Sequence, residues 1–250
     1  MKTRFILSPI VLLVALSILL SSCTEAVNKL ATMALNDTFE YEREDTAKWG
    51  KIVEETLELP AFNSIDAEGV VCIVYTQDST CSVRVRANEK CMSAYKYEVR
   101  KDELNVKLKD GTSNFNKKTP GIILYVTAPS LDGVDFSGGG KVKLVGEINL
   151  PGKMELELNG ACHLIVDSLS VGSFDLETNG ASSCSLNNIT TKEDIEIEIN
   201  GAGNINANVF CQDLRVELNG ASQGVFTGEC KKLICEENGA SKVDFSNLKK

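Results

Sequence analysis

The chain of 250 residues has a single histidine, His163. That scarcity limits His-based catalysis and excludes metal centres built from several imidazoles. Its nine cysteines include no paired Cys-x-x-Cys clusters, so the common structural zinc arrangement is missing as well. Positive charge is also short. Twenty-six Lys and Arg face 35 Asp and Glu, a net charge of −9, which disfavours nucleic acid and anionic membrane surfaces as direct partners. Beyond Leu20 no apolar run is long enough for a helical membrane span. The Asp/Gly-rich nonapeptide of calcium-binding solenoids does not occur. The sequence therefore calls for no cofactor and no catalytic metal.

What is present is an ordinary globular balance, 43% hydrophobic and 24% charged, enough for one or two folded domains. Residues 1–22 read as a signal peptide. Lys2 and Arg4 form a basic start, and the apolar stretch from Phe5 to Leu20 is interrupted by Ser8, Pro9 and Ser17. Leu20-Ser21-Ser22-Cys23 resembles the bacterial lipobox, which implies cleavage before Cys23, lipidation of that residue, and a membrane anchor made of acyl chains. Thr24 resembles the second residue of lipoproteins sent to the outer membrane. Residues 23–50 read as a polar tether containing the charge run from Glu40 to Asp45.

The remainder, 51–250, reads as one β-rich domain. Residues 51–130 hold short alternating strands: Gly69–Tyr75, Ser82–Arg86, Tyr95–Val99, Leu104–Leu108 and Ile122–Val126, with a polar loop from Asp110 to Pro120. From Leu131 a different order sets in. Asn-Gly-Ala recurs at Asn159-Gly160, Asn179-Gly180, Asn200-Gly201, Asn219-Gly220 and Asn238-Gly239, in steps of 20, 21, 19 and 19 residues, and Ser137-Gly138-Gly139 stands 22 residues before the first. Counting each Asn as zero, apolar residues recur at −3 and −1 (Leu156 and Leu158, Ile197 and Ile199, Val216 and Leu218) and at +5 and +7 (Leu164 and Val166, Ile205 and Ala207).

This period predicts an all-β fold: a single-chain parallel β-helix, or solenoid, with coils of about 20 residues and six regular coils over 131–248. Asn and Gly supply the positive φ of a sharp turn between strands, and Ala reads as a small residue for a tight inward corner. Successive Asn side chains about 4.8 Å apart can bond in a ladder. In the last unit Glu237 takes the inward −1 place, and with Lys249 and Lys250 reads as a polar cap.

Asp135, Glu157, Glu177, Glu198, Glu217 and Glu236 all fall at −2, facing outward, and should form one acidic column. Two readings stand: a stripe for a cation such as Ca²⁺ or for a basic ligand, and a solubilising face that also blocks sheet-to-sheet association. Cys211 and Cys230 lie eight residues before their Asn and should stack on adjacent coils, as a disulfide or as two buried thiols. His163, at the outward +4 place beside Cys162, suggests a Cys/His dyad, but neighbouring strand residues point to opposite faces.

Taken together, Ser137-Gly138-Gly139-Gly140, the five Asn-Gly-Ala triplets, and the upstream Phe62–Asp66 and Gly69–Tyr75 segments resemble the auto-transporter adhesin head domain called the GIN domain, common in Bacteroidetes lipoproteins. The resemblance covers roughly residues 52–246. It implies a parallel β-helix, no established enzyme activity and no catalytic residues to carry over. The functional expectation is a lipid-anchored envelope protein, adhesin-like or scaffolding, that meets a glycan or envelope protein over its solenoid face. The rival expectations are a carbohydrate-active β-helix enzyme and a purely structural envelope protein. The enzyme would need residues that break the repeat to build a cleft, and no long insertion interrupts these coils.

Overall fold

The computed structural model describes residues 49–109 and 121–250. The signal peptide, Cys23, almost all of the tether and the 110–120 stretch lie outside the described residues. The elements are β1 (Ile52–Leu57), β2 (Ser64–Gln77), β3 (Ser82–Asn88), α1 (Glu89–Ala94), β4 (Tyr95–Arg100), β5 (Glu103–Leu108), β6 (Ile122–Ala128), β7 (Gly133–Asn149), β8 (Lys153–Val171), β9 (Ser173–Thr191), β10 (Asp194–Gly220), β11 (Gln223–Gly239) and β12 (Lys242–Lys249).

The long strands β7 to β12 pair in parallel, each with the next, and β2 pairs in parallel with β7. The result is a parallel β-solenoid of about six turns, with coils about 21 residues apart. The strands run long because each bends through the Asn-Gly corner without losing its pairing. The register puts Asn159, Asn179 and Asn200 level with one another, and Asn219 level with Asn238. Residues at −3, −1, +5 and +7 are buried in the interior coils, as at Leu156, Leu158, Leu164 and Val166. Thr178 takes the −1 place in one coil, fully buried, and shares a hydrogen bond of 2.8 Å with Ser182, which satisfies the polar group inside the core.

One detail of the corner differs from the sequence reading. The Ala of the triplet does not face inward: Ala161, Ala181, Ala221 and Ala240 are exposed and Ala202 is half-buried. The inward corner belongs to +3, where Gly140, Cys162, Ser182, Gly203 and Ser222 stand. Alternation along the strand is the cause, since +2 is an even place and faces water with −2 and 0. The Gly at +1 is needed for another reason. From Gly138 onward its φ is positive in every coil, and a Cβ there would point along the stack into the carbonyl oxygen of the glycine one coil earlier.

The stack begins earlier than Leu131. Gly69 of β2 is level with Gly138, and Asp66 with Asp135. Beyond β2 the sheet continues through β6, β3 and β1, and β4 and β5 form a hairpin whose β5 pairs with β2. The short helix α1 buries Cys91, Met92 and Ala94. Tyr95 follows it and closes the first corner: its hydroxyl accepts from the Val70 N–H at 3.0 Å and donates to the Val70 carbonyl at 3.3 Å. Among the described residues the last coil has no such cover. Glu237 is exposed at the level of Leu218, and Val243 and Phe245 are only half-buried, with Phe245 tilted against Phe226 at 5.3 Å between ring centroids.

Candidate functional site

The outward −2 residues stand in register from coil to coil. Asp66, Asp135, Glu157, Glu177 and Glu198 follow one another through paired strands, and Glu217 is level with Glu236. The column therefore starts at Asp66, one level before the first carboxylate that the triplets mark out. The signal was in the sequence: Asp66-Ala67-Glu68-Gly69 has the spacing of Asp135-Phe136-Ser137-Gly138.

Four of these carboxylates are tied to their own corners. The Nδ2 groups of Asn159, Asn179, Asn200 and Asn219 donate to Glu157, Glu177, Glu198 and Glu217 at 2.9, 2.9, 2.7 and 2.9 Å. The same nitrogen reaches back one coil. Asn179 donates to Asn159 Oδ1, Asn200 to Asn179, Asn219 to Asn200 and Asn238 to Asn219, at 2.9, 3.1, 2.7 and 2.8 Å. Asn179, Asn200 and Asn219 thus use both amide hydrogens, one along the stack and one sideways to the acid. Charge-assisted bonds of this kind offset part of the repulsion between carboxylates stacked at the strand spacing.

A second acidic file lies beside the first at −4, where Glu155, Asp175 and Glu196 are level. Lys153 Nζ bridges Glu155 at 2.5 Å and Asp175 at 2.6 Å, and Arg215 meets Glu196 at 3.5 Å. Between the files runs an open groove of about 440 Å³, with Glu103 of β5 at one end. Lys107 pairs with Asp66 at 2.7 Å and Glu68 at 3.0 Å, and these acids hold its ammonium above the usual lysine value. Burial raises the carboxyl pKa of Asp135, helped by Glu157 and Asp66. Among the described residues no group of three or more His, Cys, Asp or Glu is placed to hold a metal ion. The carboxylates line up in files and do not converge on a point.

The other singled-out residues fall as follows. His163 is level with Lys141 and Ser183, as the outward +4 reading requires, yet it is only 7% exposed. A count of offsets does not reveal that burial. Cys162 is buried on the inward side, and burial pushes its thiol up to about 12. A protonated inward thiol beside a covered ring on the opposite face makes no nucleophile. Cys211 and Cys230 are level with each other as expected, and both are free thiols. Burial raises both, Cys211 to about 12.

Residues 61–191 and 175–250 match the family model described as "Putative auto-transporter adhesin, head GIN domain". Two solved structures, each titled a "putative adhesin", are similar in fold. One is from Bacteroides fragilis, with 16% identity, a TM-score of 0.62, and coverage of 80% of this chain and 97% of the other. The second is from Parabacteroides merdae, with 16% identity, a TM-score of 0.51 and the same coverage. At these identities the likeness speaks to the fold. No curated protein matches the chain.

Proposed function

Since the chain belongs to the family of the auto-transporter adhesin head GIN domain, we propose that it is a lipid-anchored envelope protein that binds a glycan or envelope protein, without catalysis, along its solenoid face. The observation that carries this reading is the unbroken groove between the two acidic files. From β7 to β10 it spans successive coils with no inserted loop, the form of a surface that meets an extended partner. Cys23 would carry the acyl chains, with the outer membrane as the destination suggested by Thr24.

An enzymatic reading gains nothing from the acids here. Glu157, Glu177, Glu198 and Glu217 are engaged by Asn amides, and a glycosidic pair faces its partner across a cleft, whereas these acids stand side by side in files. The test is to express the wild type and a Cys23→Ser variant and fractionate the cells. Soluble wild-type domain is then probed against envelope glycans and envelope proteins. The expected result is release of the variant from the membrane fraction, and binding that weakens when Glu157 and Glu177 are changed to Lys in a folded protein. Turnover of a polysaccharide, or a wild type found wholly in the soluble fraction, contradicts the proposal.

A further inference from the structure

The five Asn-Gly pairs share one dipeptide but not one environment. In Asn-Gly the glycine nitrogen can attack the Asn side-chain carbonyl carbon, because no Cβ on the next residue hinders the approach. Closure of the five-membered imide needs two freedoms. The Asn side chain must swing towards the following nitrogen, and that nitrogen must shed its proton unencumbered by a hydrogen bond.

In the first four pairs both are withheld. Asn159, Asn179, Asn200 and Asn219 are half-buried, and each gives an Nδ2 hydrogen to its own Glu. Each also accepts, at Oδ1, from the Asn of the following coil. The backbone is held as well. The carbonyl of Gly220 accepts from the Ala240 N–H at 2.7 Å, and Gly220 is level with Gly239. A parallel ladder in that register turns the N–H of the same glycine towards the same following coil. Each inner glycine nitrogen is thereby engaged by the coil above it.

Among the described residues no coil stacks above Asn238-Gly239. β12 stacks on residues 223–229, and its pairing does not reach the corner. Asn238 is exposed, as are Glu236, Glu237, Gly239 and Ala240, and its one ladder bond runs back to Asn219. Among the described residues no following Asn donates to its Oδ1, and the ladder register turns the Gly239 N–H away from the preceding coil.

We propose that Asn238 is a site of spontaneous deamidation, and that the four inner pairs are protected from the same reaction by the ladder. Water or hydroxide takes the Gly239 amide proton, a bond forms from the Gly239 nitrogen to Asn238 Cγ, and ammonia leaves. Water then opens the imide at either carbonyl. The net change is amide plus water to carboxylic acid plus ammonia, leaving aspartate or, with an extra methylene in the backbone, isoaspartate. The product places a third carboxylate beside Glu236 and Glu237 and removes the last donor of the Asn ladder, so the terminal coil loosens with the age of the molecule.

The test holds the folded protein at mildly alkaline pH beside a sample in concentrated urea. Each of the five Asn-Gly peptides is followed by mass spectrometry, and isoaspartate is scored by enzymatic methylation. In the folded sample Asn238 should convert at least about tenfold faster than any inner Asn, because the inner sites react only after local opening. In urea all five should convert at similar rates. Equal conversion at all five sites of the folded protein overturns the proposal. So does an Asn238 that persists when folded while the urea sample reacts.

Discussion

At the scale of the residue, the corner glycine is the least replaceable position. Gly201 has a φ of +126°, and a Cβ there would meet the carbonyl oxygen of Gly180. A β-branched residue resists that φ and must also push two coils apart. Gly201→Val should therefore destabilise by on the order of 1–3 kcal/mol from the backbone conformation alone. Lys192→Ala, at an exposed place, should leave the melting temperature nearly unchanged. Equal melting temperatures for the two variants would contradict the assigned register. The turn was legible because Asn and Gly recur at a fixed step, and a recurring residue of special conformation marks a recurring turn. The side to which Ala points was not legible from the turn's chemistry; it follows from strand parity counted through the glycine. His163 escaped for a different reason. Parity gives the direction of a side chain, whereas burial depends on what lies over it.

At the scale of the element, the question is whether the files of acids are a binding surface or only a charged face. The Asn braces bear on this, because they hold the carboxylates singly at their own corners. Glu177→Gln together with Glu198→Gln keeps an oxygen to accept from Asn179 and Asn200 while removing two charges from the file. If the file serves solubility, melting temperature at low salt should stay level or rise slightly, and millimolar Ca²⁺ at matched ionic strength should shift neither protein. That is the expected outcome. A calcium-induced rise in the wild type, absent from the double variant, would make the file a cation site. The column itself could be read from the sequence for the coils that carry a triplet. Its first member, Asp66, was obscured because Glu68 stands where the later coils have Ser or Asn, and because 69 residues separate Asp66 from Asp135. The second file at −4 was unreadable as a groove, since a groove is made by two neighbouring files and by Glu103 from a strand outside the repeat.

At the scale of the whole molecule, the interior sets the response to alkali. Burial lifts the thiols of Cys72 and Cys91 to about 11 and those of Cys162 and Cys211 to about 12, from an ordinary value of 9.0. In the unfolded chain these groups give up their protons first. Their contribution to stability is thus fully present below about pH 9 and is lost as pH climbs through the folded values. Lys107 and Lys153, raised by their acid partners, act in the same direction at still higher pH. The melting temperature in reducing buffer should fall steadily from about pH 9 to 11, and Cys162→Ala should flatten that limb. A flat profile over this range would show that the core does not sense the thiols. Among the described residues the two ends of the stack differ in kind: Tyr95 and α1 close the first corner, and the last corner ends at an exposed Asn238. Duplication of a coil is thereby a one-sided affair. A unit of about 20 residues added on the open side would lengthen the ladder by one rung and leave the closed side untouched, since each coil pairs only with its neighbours.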